Sequence, residues 1–256
     1  MNKFSMYYKA DYQDYDWCYQ HFIVEGMTHK EMAELARCSV RVIKKWCVEK
    51  HRLTNDMRCD IMQPTDRQRS VIIGGLLGDG HIDKRENHPL YIVSHAANQK
   101  DYLYWNYEEL KNLCNKAPTY YPGKKGVVIR NSICNTQPFY RFETRTYKSL
   151  GELRKLTTEQ LIDNLDELSF SIWMLDDGNF SRKAWKLCSP FSDEICTYAI
   201  NKIYEKFNIQ GVLDHHKTIG YNYLRFVRAE SRKINDCILR NIPNDLDIIQ
   251  YKILAG

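Results

Sequence analysis

Apolar positions recur at helical spacing through residues 17–24 and stop at Gly26. Thr28 then precedes HKEMAELA (29–36), and Glu31 stands three places on, which is the spacing of a capping box. This second helix sets Met32, Leu35 and Ala36 on one face. A short turn at Arg37, Cys38 and Ser39 leads into VRVIKKWCVEKH, with Val40, Ile43, Trp46 and Cys47 directed inward and Arg41, Lys44 and Lys45 outward. Ala33 is the small residue where the two helices approach. The order is that of a helix-turn-helix, with the basic helix in the recognition position. Residues 53–68 lose the apolar periodicity and contain Pro64, so they read as a linker, after which Thr65 or Asp66 caps the next helix.

From there the pattern runs through one cycle and then repeats it. An apolar helix ends at residues 79–80. It is followed by a strand near 90–97, a helix near 99–115, strands near 126–133 and 138–146, and a short helix to about 155. A second apolar helix ends at 177–178. Behind it come a strand near 184–190, a helix from Ser192 through Phe207, strands near 211–217 and 222–229, and a helix near 230–240. The same succession twice implies an internal duplication, with a period too long for a solenoid.

Composition narrows the class. With 256 residues, 43% apolar and 12% aromatic, the chain can bury a full core. The longest apolar stretch, 71–78, falls far short of the roughly 20 residues that cross a bilayer, and no charged-then-apolar leader opens the sequence. The expectation is a soluble protein of the cytoplasm or an organellar matrix, neither secreted nor membrane-bound. Nine cysteines show no C-x-x-C pair, and an odd count argues against a disulfide framework. The net charge of +5 is unevenly placed: residues 37–52 carry six Lys/Arg against Glu49, and 116–155 carry nine against Glu143 and Glu152. Residues 157–179 carry six acids, in one acidic helix pattern, and no Lys/Arg. Two separate basic surfaces suit a polyanion met at defined faces.

The two apolar helices, IIGGLLGDG (72–80) and FSIWMLDDG (170–178), end alike in Asp-Gly. A helix C-terminus carries a partial negative charge of about half an electron, so Asp79 and Asp177 stand at the unfavourable end of the dipole and call for a cation. The following glycine is expected to cap its helix in the left-handed region. Glycines within a helix cost roughly 1 kcal/mol each, so Gly74, Gly75 and Gly78 need a compensating close approach by another helix. If that helix is the second one, Asp79 and Asp177 fall side by side. They would then repel, and one would take up a proton unless cations bridged them.

In these residues the chain resembles the LAGLIDADG homing endonucleases of the single-chain, two-motif type. Gly74 and Gly78 fill the small positions of the first motif and Asp79 the acidic one; the second motif departs from the pattern at Ile172 and Asp176 but keeps Asp177-Gly178. The resemblance covers about residues 66–255. It implies an α+β fold: a pseudo-symmetric, duplicated αββαββα scaffold, here preceded by a small all-α helix-turn-helix domain. The corresponding divisions are 1–60, 61–165 and 166–256. It also implies a site-specific endonuclease in which Asp79 and Asp177 hold divalent ions, Mg²⁺ with Mn²⁺ or Ca²⁺ as substitutes for binding. The carbonyls of Gly78 and Asp176 complete the coordination, and one lysine serves each active site. Lys252 and Lys155 match those lysines by position, Lys155 being ambiguous with Arg154.

The implied partner is double-stranded DNA with a long target, met by a monomer. Strand alternation sets Arg141, Glu143 and Arg145 on one face, and similar counting picks Arg130 in that sheet and Lys186 with Arg225 or Arg228 in the other. Arginine reads guanine and a carboxylate accepts from cytosine, or either side chain meets phosphate alone. Arg41, Lys44 and Lys45 extend the contact. An intron RNA maturase or a non-cleaving DNA-binding regulator could use the same scaffold. The sequence closes on Leu-Ala-Gly rather than His-Asn and a nucleophile, against an intein reading.

Overall fold

The computed structural model describes residues 11–84, 89–129, 132–215 and 221–254. The N-terminal module is built from α1 (Tyr15–Tyr19), which continues with wider turns through Gln20–Val24, then α2 (His29–Leu35), and α3 (Val40–Lys44), which continues through Lys45–Lys50. The capping box forms as the spacing predicts. Thr28 N–H donates to Glu31 Oε2 at 2.7 Å and Glu31 N–H to Thr28 Oγ1 at 3.2 Å. The module has its own core of Cys18, Phe22, Ile23, Met32, Ala33, Ile43, Cys47 and Leu53. Leu35 does not join it: the inward stripe of α2 runs through Met32 and Ala33, leaving Leu35 54% exposed. Val40, expected inward, is exposed at the first turn of α3.

The segment read as a linker is largely a helix, α4 (Asn55–Ile61), N-capped by Thr54. Its periodicity is masked in the sequence because the residue it buries is a cation. Arg58 is 1% exposed and donates to the carbonyl of Gly26 in the module and to that of Asn112 (3.2 Å) in the body, with its guanidinium over the Phe22 ring. The division between the two cores therefore lies within α4, with Leu53 in one and Met62 in the other.

The body opens with α5 (Asp66–Leu77), capped by Thr65, whose side chain and Gln68 form the box. Asp66, Arg67 and Arg69 of its first turn are exposed, and from Ser70 through Gly75 every residue is buried. Then follow β1 (His81–Ile82), β2 (Tyr91–Ala96), α6 (Lys100–Leu110), β3 (Thr119–Tyr121), a hairpin of β4 (Val127–Ile129) and β5 (Ser132–Cys134), β6 (Phe139–Glu143) and α7 (Lys148–Arg154). The acidic stretch is two helices, α8 (Thr158–Asp163) and α9 (Glu167–Asp177), because Asp166 starts a new capped helix rather than continuing the old one. The second half adds β7 (Gly178–Ser181), β8 (Ala184–Ser189), α10 (Asp193–Phe207), β9 (Gly211–His215), β10 (Asn222–Phe226), α11 (Arg228–Asn241) and α12 (Asp247–Ile249), which runs on through Gln250–Leu254.

The duplication is visible in the sheets. One has the order β1-β2-β6-β3 and the other β7-β8-β10-β9, both antiparallel and both first, second, fourth, third when only the strands of that sheet are counted. Inner positions of the two sheets correspond, Val93 opposite Phe142 and Leu187 opposite Leu224, all four buried. A single core spans both halves, with α5 and α9 running through its middle. Among the described residues no helix is long and apolar enough to cross a membrane. Eight described cysteines are free thiols.

Candidate functional site

The approach of α5 to α9 is set by two of the three glycines. A Cβ on Gly74 would sit 2.6 Å from the Ser169 carbonyl oxygen and 2.8 Å from Ile172 Cβ. One on Gly78 would lie 2.5 Å from Asp176 Cβ. Ile172 and Asp176, the residues at which the second motif departs from the small-residue pattern, are thus the ones that fill the space the first motif leaves. Gly75 serves a different neighbour: with Gly80 it makes room for the Tyr91 ring of β2. The glycines after the aspartates do not act as left-handed caps. Gly178 is extended at φ −83°, and positive φ among glycines is confined, in the described chain, to Gly26 and Gly126. Gly178 is needed because the Met174 carbonyl and the Trp185 ring crowd its Cα.

This packing brings both helix C-termini together. Asp79 N–H donates to Asp176 Oδ2 at 3.1 Å across the pair, and Tyr102 Oη donates to Asp176 Oδ1 at 2.9 Å. The Asp176 side chain is buried, and that burial, reinforced by the charge of Asp79, pushes its carboxyl up to about 6 against the pull of His95. Asp177 is pushed up to about 7 by burial and by the charges of Asp176 and Asp79, with Lys252 acting against them. Repulsion from the neighbouring carboxylates thus adds to burial in favouring the protonated forms of Asp176 and Asp177. Lys252, in the last helical turns, is buried. Its Nζ donates to the Leu175 carbonyl and, at 2.8 Å, to that of Gly178. It therefore closes the end of α9, and burial depresses its ammonium while the three aspartates favour it. Hard oxygen donors with surplus negative charge fit a divalent cation.

The remaining expected site residues divide. Lys155 is exposed at the C-terminal cap of α7, and its neighbour Arg154 donates to the Asp83 carbonyl at 3.2 Å, beyond the end of β1. Arg141 and Glu143 lie on the outer face of β6, paired at 3.3 Å, with Lys116 3.7 Å from Glu143. Arg145 does not join them. The strand ends at Glu143, and the Arg145 guanidinium, its Nε buried, lies near Arg58 and Cys114 at the junction with the module. Lys186 and Arg225 stand opposite each other on the outer face of β8 and β10, Arg225 3.3 Å from Asp214 and Lys186 over the Tyr223 ring. Arg228 instead begins α11, past the strand's end. Arg41, Lys44 and Lys45 are exposed on α3. Arg130 lies outside the described residues.

Sequence reasoning missed His95, Tyr102 and the side chain of Asp176. His95 was within reach of strand alternation, since it shares the inner face of β2 with Val93 and Tyr91 and faces Tyr140 of β6. Its Nδ1 lies 3.2 Å from Asp79 Oδ2 and its Nε2 3.9 Å from Asp176 Oδ1.

Known proteins resemble the chain in sequence and in fold. A protein named RecA from Mycolicibacterium chitae is 25% identical over 207 residues, 74% of this chain and 47% of that protein. The cytochrome b mRNA maturase bI2 of Saccharomyces cerevisiae is 26% identical over 209 residues, 72% of this chain and 46% of the maturase. The chain thus spans about half the length of these relatives. The homing endonuclease I-WcaI, solved bound to its DNA recognition sequence, shares the fold with a TM-score of 0.64 at 20% identity, covering 88% of this chain and 97% of that one. The sequence profile of the LAGLIDADG DNA endonuclease family matches residues 69–234. Because that match begins inside the first motif helix and runs well past the second, this chain belongs to the LAGLIDADG DNA endonuclease family.

Proposed function

We propose that the chain is a site-specific, divalent-metal-dependent endonuclease that hydrolyses phosphodiester bonds on both strands of a long DNA target. The observation that carries this reading is the crowding of Asp79, Asp176 and Asp177 at the ends of two helices in van der Waals contact, an arrangement that costs stability unless positive charge is brought in. Asp79 and Asp177 would hold the ions, helped by the carbonyls of Gly78 and Asp176. A divalent cation there supplies charge for the phosphate and a bound water of lowered pKa. Mg²⁺ is the ion that carboxylate, carbonyl and phosphate oxygens favour, with Mn²⁺ or Ca²⁺ able to replace it in binding.

The chain's own groups do the positioning. Lys252 fixes the carbonyls at the end of α9, and through them the direction of Asp177. Arg141, Glu143, Lys186 and Arg225, on the outer faces of the sheets, would face the groove; Arg41, Lys44 and Lys45 on α3 would bind further phosphates as a helix-turn-helix. Both motif helices lie in one chain, which favours a monomer, working wherever in the cell its DNA lies. Likeness to a maturase favours a second reading, assistance to intron RNA. Asp177→Asn separates these: it should abolish cleavage while leaving DNA binding within about tenfold, since the amide keeps the shape but not the charge. Full retention of cleavage would overturn the assignment.

A further inference from the structure

The two halves are alike in register but not in chemistry. Aligning them on the inner positions Val93 and Leu187 makes His95 of β2 the counterpart of Ser189 of β8. Ser189 is occupied locally, its Oγ accepting from Phe191 N–H at 3.3 Å and from Cys196 Sγ. His95 is not. Its side chain is 2% exposed, and neither ring nitrogen has a hydrogen-bond partner. The 3.2 Å approach of Nδ1 to Asp79 lies off the line of a hydrogen bond, and 3.9 Å from Nε2 to Asp176 is too long for one. A buried imidazole with two idle nitrogens between two carboxylates costs free energy as it stands.

A metal ion makes better use of the same atoms. One donor atom from each of Asp79, His95 and Asp176 lies within 4.8 Å of the others. Donors about 2.1 Å from an ion stand roughly 3 Å apart, so small side-chain rotations close the set. Asp176 is held for this by Tyr102 Oη and by Asp79 N–H, in the way that outer hydrogen bonds orient metal-binding carboxylates. Imidazole nitrogen is a poor ligand for Mg²⁺ and Ca²⁺ and a good one for first-row transition ions. We infer that His95 is a metal ligand that makes the first motif's site a mixed nitrogen and oxygen site, selecting a divalent transition ion such as Mn²⁺, Co²⁺ or Zn²⁺ over Mg²⁺, while the second motif's site is built from oxygen alone. The inference deepens the metal reading of Asp79 and rests on it.

The test is direct. The full chain, without DNA, is titrated with Mn²⁺ and with Mg²⁺, and the Mn²⁺-loaded protein is examined by electron spin-echo spectroscopy for ¹⁴N coupling. His95→Gln, of similar size and checked for folding by its thermal melt, is treated in the same way. The expected result is imidazole ¹⁴N coupling in the parent chain that disappears in His95→Gln, together with a loss of roughly tenfold or more in the preference for Mn²⁺ over Mg²⁺. Binding of both ions without nitrogen coupling, or with the same preference in both proteins, would overturn the inference and leave the oxygen-held metal intact. Failure of both ions to bind would overturn the inference and the metal reading together. If His95→Gln does not fold, the parent chain's ¹⁴N signal decides alone.

Discussion

Gly74, Gly75 and Gly78 look equivalent in the motif and are not. Gly74 faces the backbone of α9, which cannot give way, whereas Gly75 faces the end of the Tyr91 side chain. Gly74→Ala should therefore cost about 3 kcal/mol by overpacking despite its better helix propensity. Gly75→Ala should cost less, and part of that loss should return in the Tyr91→Phe background; a urea-melt double-mutant cycle reads both. The aspartates make a second prediction. In the metal-free chain Asp176 and Asp177 keep protons to about 6 and about 7, while unfolded aspartate loses its proton near 3.9. The folded state thus binds more protons between about pH 4 and pH 7, and their contribution to stability is lost as pH rises through that window. In EDTA, the stability of Asp177→Asn relative to the parent chain should increase from pH 4.5 to 8; a flat difference would mean that Asp177 is solvated. The motif aspartates were legible because each stands before a glycine at the end of an apolar run. His95 and Tyr102 were not, since a polar residue facing inward reads as an ordinary alternation until the strand's register and the opposite helix are known.

Among the elements, α4 is the least visible in the sequence. One buried guanidinium joins the module's Gly26 carbonyl to the body's Asn112, and burial together with Arg145 lowers Arg58 to about 10. Removing that side chain strands two carbonyls, so Arg58→Ala should destabilise by about 3 kcal/mol and loosen the module first, as protease cleavage near residues 53–64 would report. Pro64 and the lost apolar periodicity hid this helix, because periodicity arguments count apolar residues and the anchor here is arginine. α3 makes the opposite case, its basic face being plain in sequence and exposed in the fold. Replacing Arg41, Lys44 and Lys45 by alanine should weaken DNA binding and flatten the dependence of log K on log salt by about 0.9 for each phosphate that is no longer neutralised. An unchanged slope would exclude α3 from the DNA face. Strand alternation ordered Arg141 and Glu143 correctly but misplaced Arg145 and left Arg228 open, because it cannot tell where a strand stops.

For the molecule as a whole, the duplication was readable from the apolar pattern and the matching strand orders of the two sheets bear it out, but the short strands β1 and β7 behind the motif helices escaped that pattern, and the strand expected near 126–133 is a separate hairpin, its place in the sheet taken by β3. What the repeat concealed is its asymmetry: glycines on α5 meet Ile172 and Asp176 on α9, His95 answers to Ser189, and a closing lysine is buried at the end of α9 while Lys155 is exposed. These are pairwise complements, and each becomes visible only when both halves are assembled. The function proposed for this assembly is to cut DNA at one long site using bound divalent ions. The decisive measurement is incubation of the purified chain with a plasmid library of randomised or genomic DNA, with Mg²⁺ or Mn²⁺ and with EDTA, followed by sequencing of every new end. Ends that require the metal and cluster at a single long sequence are the predicted result. Intact DNA under all conditions, or ends that persist in EDTA, would contradict it.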